Sequence, residues 1–353
     1  MKKWVWPGTV VLIAASAAAH FLHASVLAVF LLSSLAIIPL AGIMGRSTES
    51  IAAHLGSRVG GLLSATFGNA VEMIIGIFAL REGLTSLVKA SITGSMIGNL
   101  LFVLGISFVV GGIRHPIQHF NIRAARSNAS MLLLSVGVAF IVPAFFNASS
   151  SHVNMALSTV VAVVSLFLYL LGLFFSLFTH RSLFEHIEDV ANDGDGNGDH
   201  WRLWPAVGML LLTTAIVSVE SEWLVGSIEK VGHLLGWSDL FLGVIVVAVV
   251  GNAAEHASAV LMAWKNRMDL SLEIAVGSSL QVAMFVAPVL FFVSLLFSHP
   301  MPLLFSRPEL ASMGAAVVLV VVLMMDGESN WLEGALAVGA YLVMAVGFFT
   351  LVA

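Results

Sequence analysis

Not one of the 353 residues is cysteine. That absence removes disulfides, thiolate metal sites and thiol nucleophiles together, and it leaves the redox compartment unreadable. Charge is nearly as scarce, at 10% of residues against about 25% in a soluble domain. Fifteen Lys and Arg against twenty Asp and Glu form no basic cluster, which excludes nucleic acid as a partner. No His-Glu-x-x-His occurs, and His20, His23, His115, His119 and His299 fall at predicted helix ends, so an intramembrane hydrolase has no metal-binding set to work with. What fills the chain instead is apolar: 59% of residues, with a mean hydropathy of +1.01. This is the composition of a polytopic membrane protein.

Apolar segments near the bilayer-spanning length of about 20 residues fall at 5–23, 26–45, 59–81, 88–112, 125–147, 152–180, 204–232, 239–264, 270–297, 309–325 and 332–352. They predict an all-α polytopic protein of about eleven transmembrane helices. Lys2, Lys3, a short apolar run and Ala17-Ala18-Ala19 imitate a cleavable leader. The next span starts almost at once, so 5–23 is read as a helix. An N-terminus in the cytoplasm leaves only Arg81, Lys89, Lys230 and Arg307 of the 15 basic residues outside. That positive-inside bias predicts N-in and C-out.

The chain also repeats itself. Gly68-Asn69-Ala70-Val71-Glu72 returns 183 residues later as Gly251-Asn252-Ala253-Ala254-Glu255. The same offset carries Gly94-Ser95 onto Gly277-Ser278 and Phe102-Val103 onto Phe285-Val286. Each copy holds five predicted helices, an odd number, so the second enters the membrane from the opposite side. Residues 1–25 are then an extra N-terminal helix, 26–180 the first five-helix repeat, 181–203 a link and 204–353 the second repeat. Two inverted repeats with a midplane site are a secondary-transporter architecture. The link contains Glu185, Glu188, Asp189, Asp193, Asp195 and Asp199. It reads as a solvated cytoplasmic tether, with cation attraction by Glu185, Glu188 and Asp189 as the functional alternative. Its DGDGNGD run lacks the twelfth-position glutamate of a calcium loop, where Trp204 stands.

Glu72 and Glu255 lie mid-span, where an ionised carboxylate costs at least about 2.5 kcal/mol. Two such groups from two repeats match a dehydrated divalent cation in charge. Gly68 and Gly251 allow close helix approach or an opened turn. Asn69 and Asn252, three residues before each glutamate, offer amide oxygens on the same face. Ser95, Ser278, Asn99 and Gln281 extend the polar set from the following helices. Oxygen donors without thiol suit a hard cation such as calcium. His256 points about 100° away from Glu255 and reads as a packed or water-facing histidine, with Met73 at its place in the first repeat. Glu220, Glu222 and Glu229 run along 204–232, with Glu222 placed to line an entry path.

GNAVE…GSMIGN in the first half, SEWLV…GNAAEH…GSSLQ in the second and WLEG at 331–334 resemble the calcium/proton exchangers, the cation-exchanger branch of the calcium/cation antiporter superfamily. The resemblance runs over essentially the whole chain. It implies a fold of two inverted five-helix repeats plus one N-terminal helix, an acidic cytoplasmic link, and calcium export against proton entry in the plasma membrane. It also implies that Glu72 and Glu255 carry calcium and protons in turn, amid the Asn, Ser and Gln lining named above. Met73 and the pairing of Gly98 with Gln281 depart from strict internal symmetry.

No prosthetic group is expected. Ca2+ is the substrate, H+ the coupling ion and the lipid bilayer the surroundings, with a homo-oligomer left open. Sodium in place of protons is the alternative driving ion, although only two deep carboxylates are in view. A cation channel is a more distant alternative, since channels commonly gather carboxylate rings by oligomerisation.

Overall fold

A computed structural model describes residues 5–55, 60, 62–63, 66–146, 151–179 and 201–351. Among these residues the regular structure is helical, apart from one pair of two-residue strands. The helices are α1 (Val5–Phe21), α2 (Val26–Leu55), α3 (Ala70–Arg81), α4 (Thr85–Arg114), α5 (Ile122–Phe145) and α6 (Val153–Thr179). They continue as α7 (Leu203–Leu235), α8 (Asp239–Trp264), α9 (Met268–Ser294), α10 (Arg307–Leu323) and α11 (Trp331–Thr350). Eight of them are long and apolar enough to cross a membrane. Large apolar side chains stand exposed along α6, including Val160, Val163, Phe167, Leu170 and Phe174. Water would not tolerate such a stripe, whereas lipid does. The protein is an all-α, multi-pass membrane protein.

Two boundaries differ from the sequence reading. α2 runs on to Leu55 rather than stopping at 45. Its last turns accommodate polar residues because the Ser47 hydroxyl donates to the Ile43 carbonyl at 2.8 Å and Thr48 donates to Met44 at 3.0 Å. The predicted span 59–81 is broken: Gly68 and Asn69 form a turn, and α3 begins only at Ala70. Several helices also contain π-helical stretches, at Gly98–Val103 in α4, Leu242–Val247 in α8 and Val282–Val286 in α9. In α4 the Leu104 amide reaches back five residues to the Asn99 carbonyl.

The chain divides into two compact units, with boundaries inside α4 (Ser91/Ile92) and α8 (Ala254/Glu255). The first contains α1, α2, α3 and α7, with the first turns of α4 and most of α8. α2 and α7 pack along each other, with Phe30, Ile37, Leu40, Val217, Leu224 and Ile228 all fully or nearly buried. Across this apolar seam the Ser16 hydroxyl donates to Glu220 Oε2 at 2.6 Å, with Ser33 Oγ 3.1 Å from Ser16. In the same unit Gly243 of α8 lies against α4. A methyl there would fall 2.7 Å from the Leu87 carbonyl and 2.5 Å from Ala90 Cβ.

The second unit contains the remainder of α4 and α8 together with α5, α6, α9, α10 and all but the last residues of α11. Here α4 and α11 meet through Gly105 and Gly334, and a Cβ on Gly334 would sit 2.5 Å from the Gly105 carbonyl. Small residues at such crossings let membrane helices approach closely. Strands β1 (Gln118–His119) and β2 (Glu328–Ser329) pair antiparallel and join the α4–α5 and α10–α11 loops. Gln118 Nε2 ties the first of these to the α8–α9 loop, donating to the Ala263 carbonyl and to Asn266 Oδ1, both at 2.9 Å. Even numbers of helices separate these three loops along the chain, as expected if every helix crosses once.

Candidate ion-binding site

In the first unit the break at Gly68-Asn69 puts Glu72 in the first turn of α3, where the helix dipole favours negative charge. Its side chain is buried, at 5% exposure. Asn252 Nδ2 donates to Glu72 Oε1 at 3.3 Å and is itself steadied by the Ala248 carbonyl at 2.9 Å. Gly251 makes room for this carboxylate, because a Cβ there would lie 3.4 Å from Glu72 Cγ. Asn69 is buried beside its turn and Gly68 is exposed. The Gly-Asn of the second motif thus serves the glutamate of the first.

In the second unit Glu255 lies within the continuous helix that carries it, half-buried, with Oε2 enclosed and lacking a hydrogen-bond partner among the described residues. Ser278 is within hydrogen-bonding reach of Glu255. Asn99 Nδ2 donates to Ser278 Oγ at 3.1 Å, and His256 Nε2 donates to Asn99 Oδ1 at 3.0 Å. His256 is therefore no bystander: it ends a polar chain that runs Glu255, Ser278, Asn99, His256. The π-helical stretch of α4 holds Asn99, and that of α9 starts just after Gln281. Such stretches gather at functional sites. Ser95 is buried in α4, and Gln281 lines a cavity among α5, α6 and α9.

Among the candidates on α7, Glu220 is the buried one, at 1% exposure. Glu222 is half-exposed, pairs with Arg81 at 3.2 Å, and borders a cavity of about 630 Å³ with His20, His23 and Lys230. Glu185, Glu188 and Asp189 lie outside the described residues. Sequence reasoning passed over Glu273, which accepts from Asn128 Nδ2 at 2.8 Å. It also passed over Glu309, which accepts from the Ser306 amide at 2.7 Å and caps α10. The signal for both was available: a carboxylate inside or at the edge of an apolar span.

Among the described residues no three His, Cys, Asp or Glu cluster tightly enough to hold a metal. A cation would have to be met by single carboxylates together with amide and hydroxyl oxygens, the donor set of a weakly held, hard ion. Buried carboxylates and amides inside lipid-facing helices define a class, that of multi-pass ion transporters.

The particular family follows from comparison. Residues 25–178 and 205–350 match the family described as sodium/calcium exchanger protein, and the chain belongs to it. It is 49% identical over 316 residues to the Ca2+/H+ antiporter ChaA of Bacillus subtilis (strain 168), covering 89% of this chain and 90% of that one. It is 46% identical over 350 residues to a Ca2+/H+ antiporter of Synechocystis sp., covering 95% and 94%. The solved structure of native YfkE superposes with a TM-score of 0.84 at 44% identity, over 97% of this chain and 100% of that one. The activity of this family is ion exchange, not catalysis of a chemical step.

Proposed function

We propose that the chain exports Ca2+ in exchange for H+ by alternating access, with Glu72 and Glu255 as the groups that carry calcium and protons in turn. One observation carries most weight: Glu72 is a buried membrane carboxylate oriented by the amide of the other motif's asparagine. The names and high identity of the relatives support the choice of ions. The coupling follows from charge. A site that holds either a divalent cation or protons, and that crosses empty only with two bare carboxylates, must exchange.

The finer architecture belongs to the same proposal. The two motifs occupy the second helix of each of two inverted five-helix repeats, 26–180 and 204–353, behind an extra N-terminal helix. Both glutamates contribute to one midplane ion, with Asn69, Asn252, Ser95, Ser278, Asn99 and Gln281 as neutral oxygen donors. The positive-inside count supports an N-terminus in the cytoplasm and a C-terminus outside the plasma membrane.

Purified protein in liposomes tests the exchange directly. Calcium flux should follow an imposed pH gradient without sodium, and should saturate with calcium. Flux that requires a sodium gradient instead would overturn the choice of coupling ion.

A further inference from the structure

Within the second unit a cavity of about 490 Å³ lies among α5, α6 and α9. Its walls are chiefly Leu, Val and Met, and its few polar groups include Asn128, Glu273 and Gln281. Glu273, Gly277 and Gln281 are spaced four apart on α9 and so share one face, with about 12 Å of rise from first to last. Gly277 keeps that face clear: a Cβ there would already touch Glu273 Oε1 at 3.7 Å. Gln281 closes the row at its far end, and Ser278, next to Gly277 on the adjoining face of α9, belongs to the polar chain that reaches Glu255. The cavity is thus a lined path along α9, from a carboxylate near its start to the level of the candidate site.

Glu273 is not needed to hold the fold in the way Glu309 is. Among the described residues it caps no helix and pairs with no basic side chain, and Asn128 fixes its Oε2. Ionisable residues inside membrane spans face cavities where ions or protons travel. Apolar walls strengthen the field of the one charge among them. At about 30 Å³ per water, the space holds on the order of a dozen waters, enough for a calcium ion that keeps much of its shell of about 6–8 oxygens.

We infer that Glu273, with Asn128 beside it, forms a second cation site on the cytoplasmic side, where a partly hydrated divalent cation halts before it passes Gln281 toward Glu255. The side assignment rests on the topology proposed above, in which the α8–α9 loop with Lys265 and Arg267 is cytoplasmic.

Everted and right-side-out membrane vesicles present the two faces separately, and Glu273→Gln is the informative variant. Glutamine is nearly isosteric and its oxygen still accepts from Asn128, so a purely structural pair would lose only the charge assistance of one hydrogen bond, which acts equally at both faces. The half-saturating calcium concentration at the cytoplasmic face should rise on the order of tenfold. The external face should keep its wild-type value. Gly277→Val, which blocks the path with Glu273 intact, should lower the maximal rate.

Radiolabelled calcium binding to detergent-solubilised protein needs no transport and separates this inference from the exchange proposal. Wild type should bind more than one Ca2+ per chain and Glu273→Gln one fewer. Absent proton-driven flux in the wild type would refute the exchange reading while the binding comparison still stood. Unchanged cytoplasmic half-saturation in Glu273→Gln, an equal shift at both faces, or unchanged binding stoichiometry would overturn the second site. A cavity occupied by an acyl chain would give the first and last of these results.

Discussion

Replacing Asn252 by alanine tests the contact at the centre of the candidate site. Asn252 Nδ2 makes two bonds, to the Ala248 carbonyl at 2.9 Å and to Glu72 Oε1 at 3.3 Å. The first only steadies the side chain, so the second sets the cost. Hydrogen bonds to charged groups contribute about 1.5–3 kcal/mol, and 3.3 Å lies just past the usual N–H···O range, near 3.2 Å. The lower figure, about 1.5 kcal/mol, is therefore appropriate, equivalent to roughly tenfold in affinity. Glu72 would remain at its helix N-terminus, and water can enter the volume vacated by the amide. Calcium-dependent flux in liposomes should show half-saturation about tenfold higher at a fixed pH gradient, with maximal rate changed less. Thermal unfolding in detergent should shift by only a few degrees. Asn252→Asp, which places a second carboxylate where the amide donates, should impair exchange more than the alanine variant. A wild-type calcium dependence in Asn252→Ala would refute the role assigned to this contact.

Glu72→Gln and Glu255→Gln should each abolish proton-driven calcium flux, and the double variant should be no worse, because groups acting as a unit are non-additive; substantial exchange by either single variant would sink the two-carrier mechanism. Gly334→Val should destabilise the α4–α11 contact by about 1–3 kcal/mol or more, read as a lower unfolding temperature, since even a methyl there would meet the Gly105 carbonyl at 2.5 Å. Neutral amides at Glu185, Glu188 and Asp189 should shift apparent calcium affinity modestly, because charges in water are screened; complete loss of flux in a folded protein would place the link in the transport path. Single cysteines introduced at Asp195 and Ala353, with no native thiol as background, should label from the cytoplasmic and external sides respectively, and labelling from one side would refute the proposed topology.

The helices were legible where hydropathy alone decides them. Each predicted span has a helix in the structure, because in lipid every backbone amide must find its partner within the segment. The failures lie where hydropathy is silent. Arg46 marked an end for α2, yet the backbone does not stop at a charge: the helix continues to Leu55 while Ser47 and Thr48 bond back to its own carbonyls. The π-helical stretches at 98–103, 242–247 and 282–286 are apolar apart from Asn99, and nothing in their composition sets them off from the α-helix around them. One extra residue per turn is accommodated by the packing around it, and no residue type announces that. Two-residue strands such as β1 and β2 are too short to alternate, so their pairing had no pattern to show.

The site divides along a similar line. A carboxylate in an apolar span is conspicuous, so Glu72 and Glu255 could be named from composition and repetition. Which neighbours serve them depends on where the backbone breaks. Residues three apart on one helix were expected to cooperate; the turn at Gly68-Asn69 makes Asn69 the N-cap of α3, and a donor to Glu72 comes from the other motif, as Asn252. On α7 the relevant variable is face rather than depth. Glu220 and Glu222 differ by about 200° around the helix, which sends one into Ser16 and the other to Arg81 at the surface. Glu273 met the same criterion as the motif glutamates and lacked only a repeated partner. Repetition finds the groups that symmetry demands, whereas an entry path used from one face has no symmetric copy to betray it.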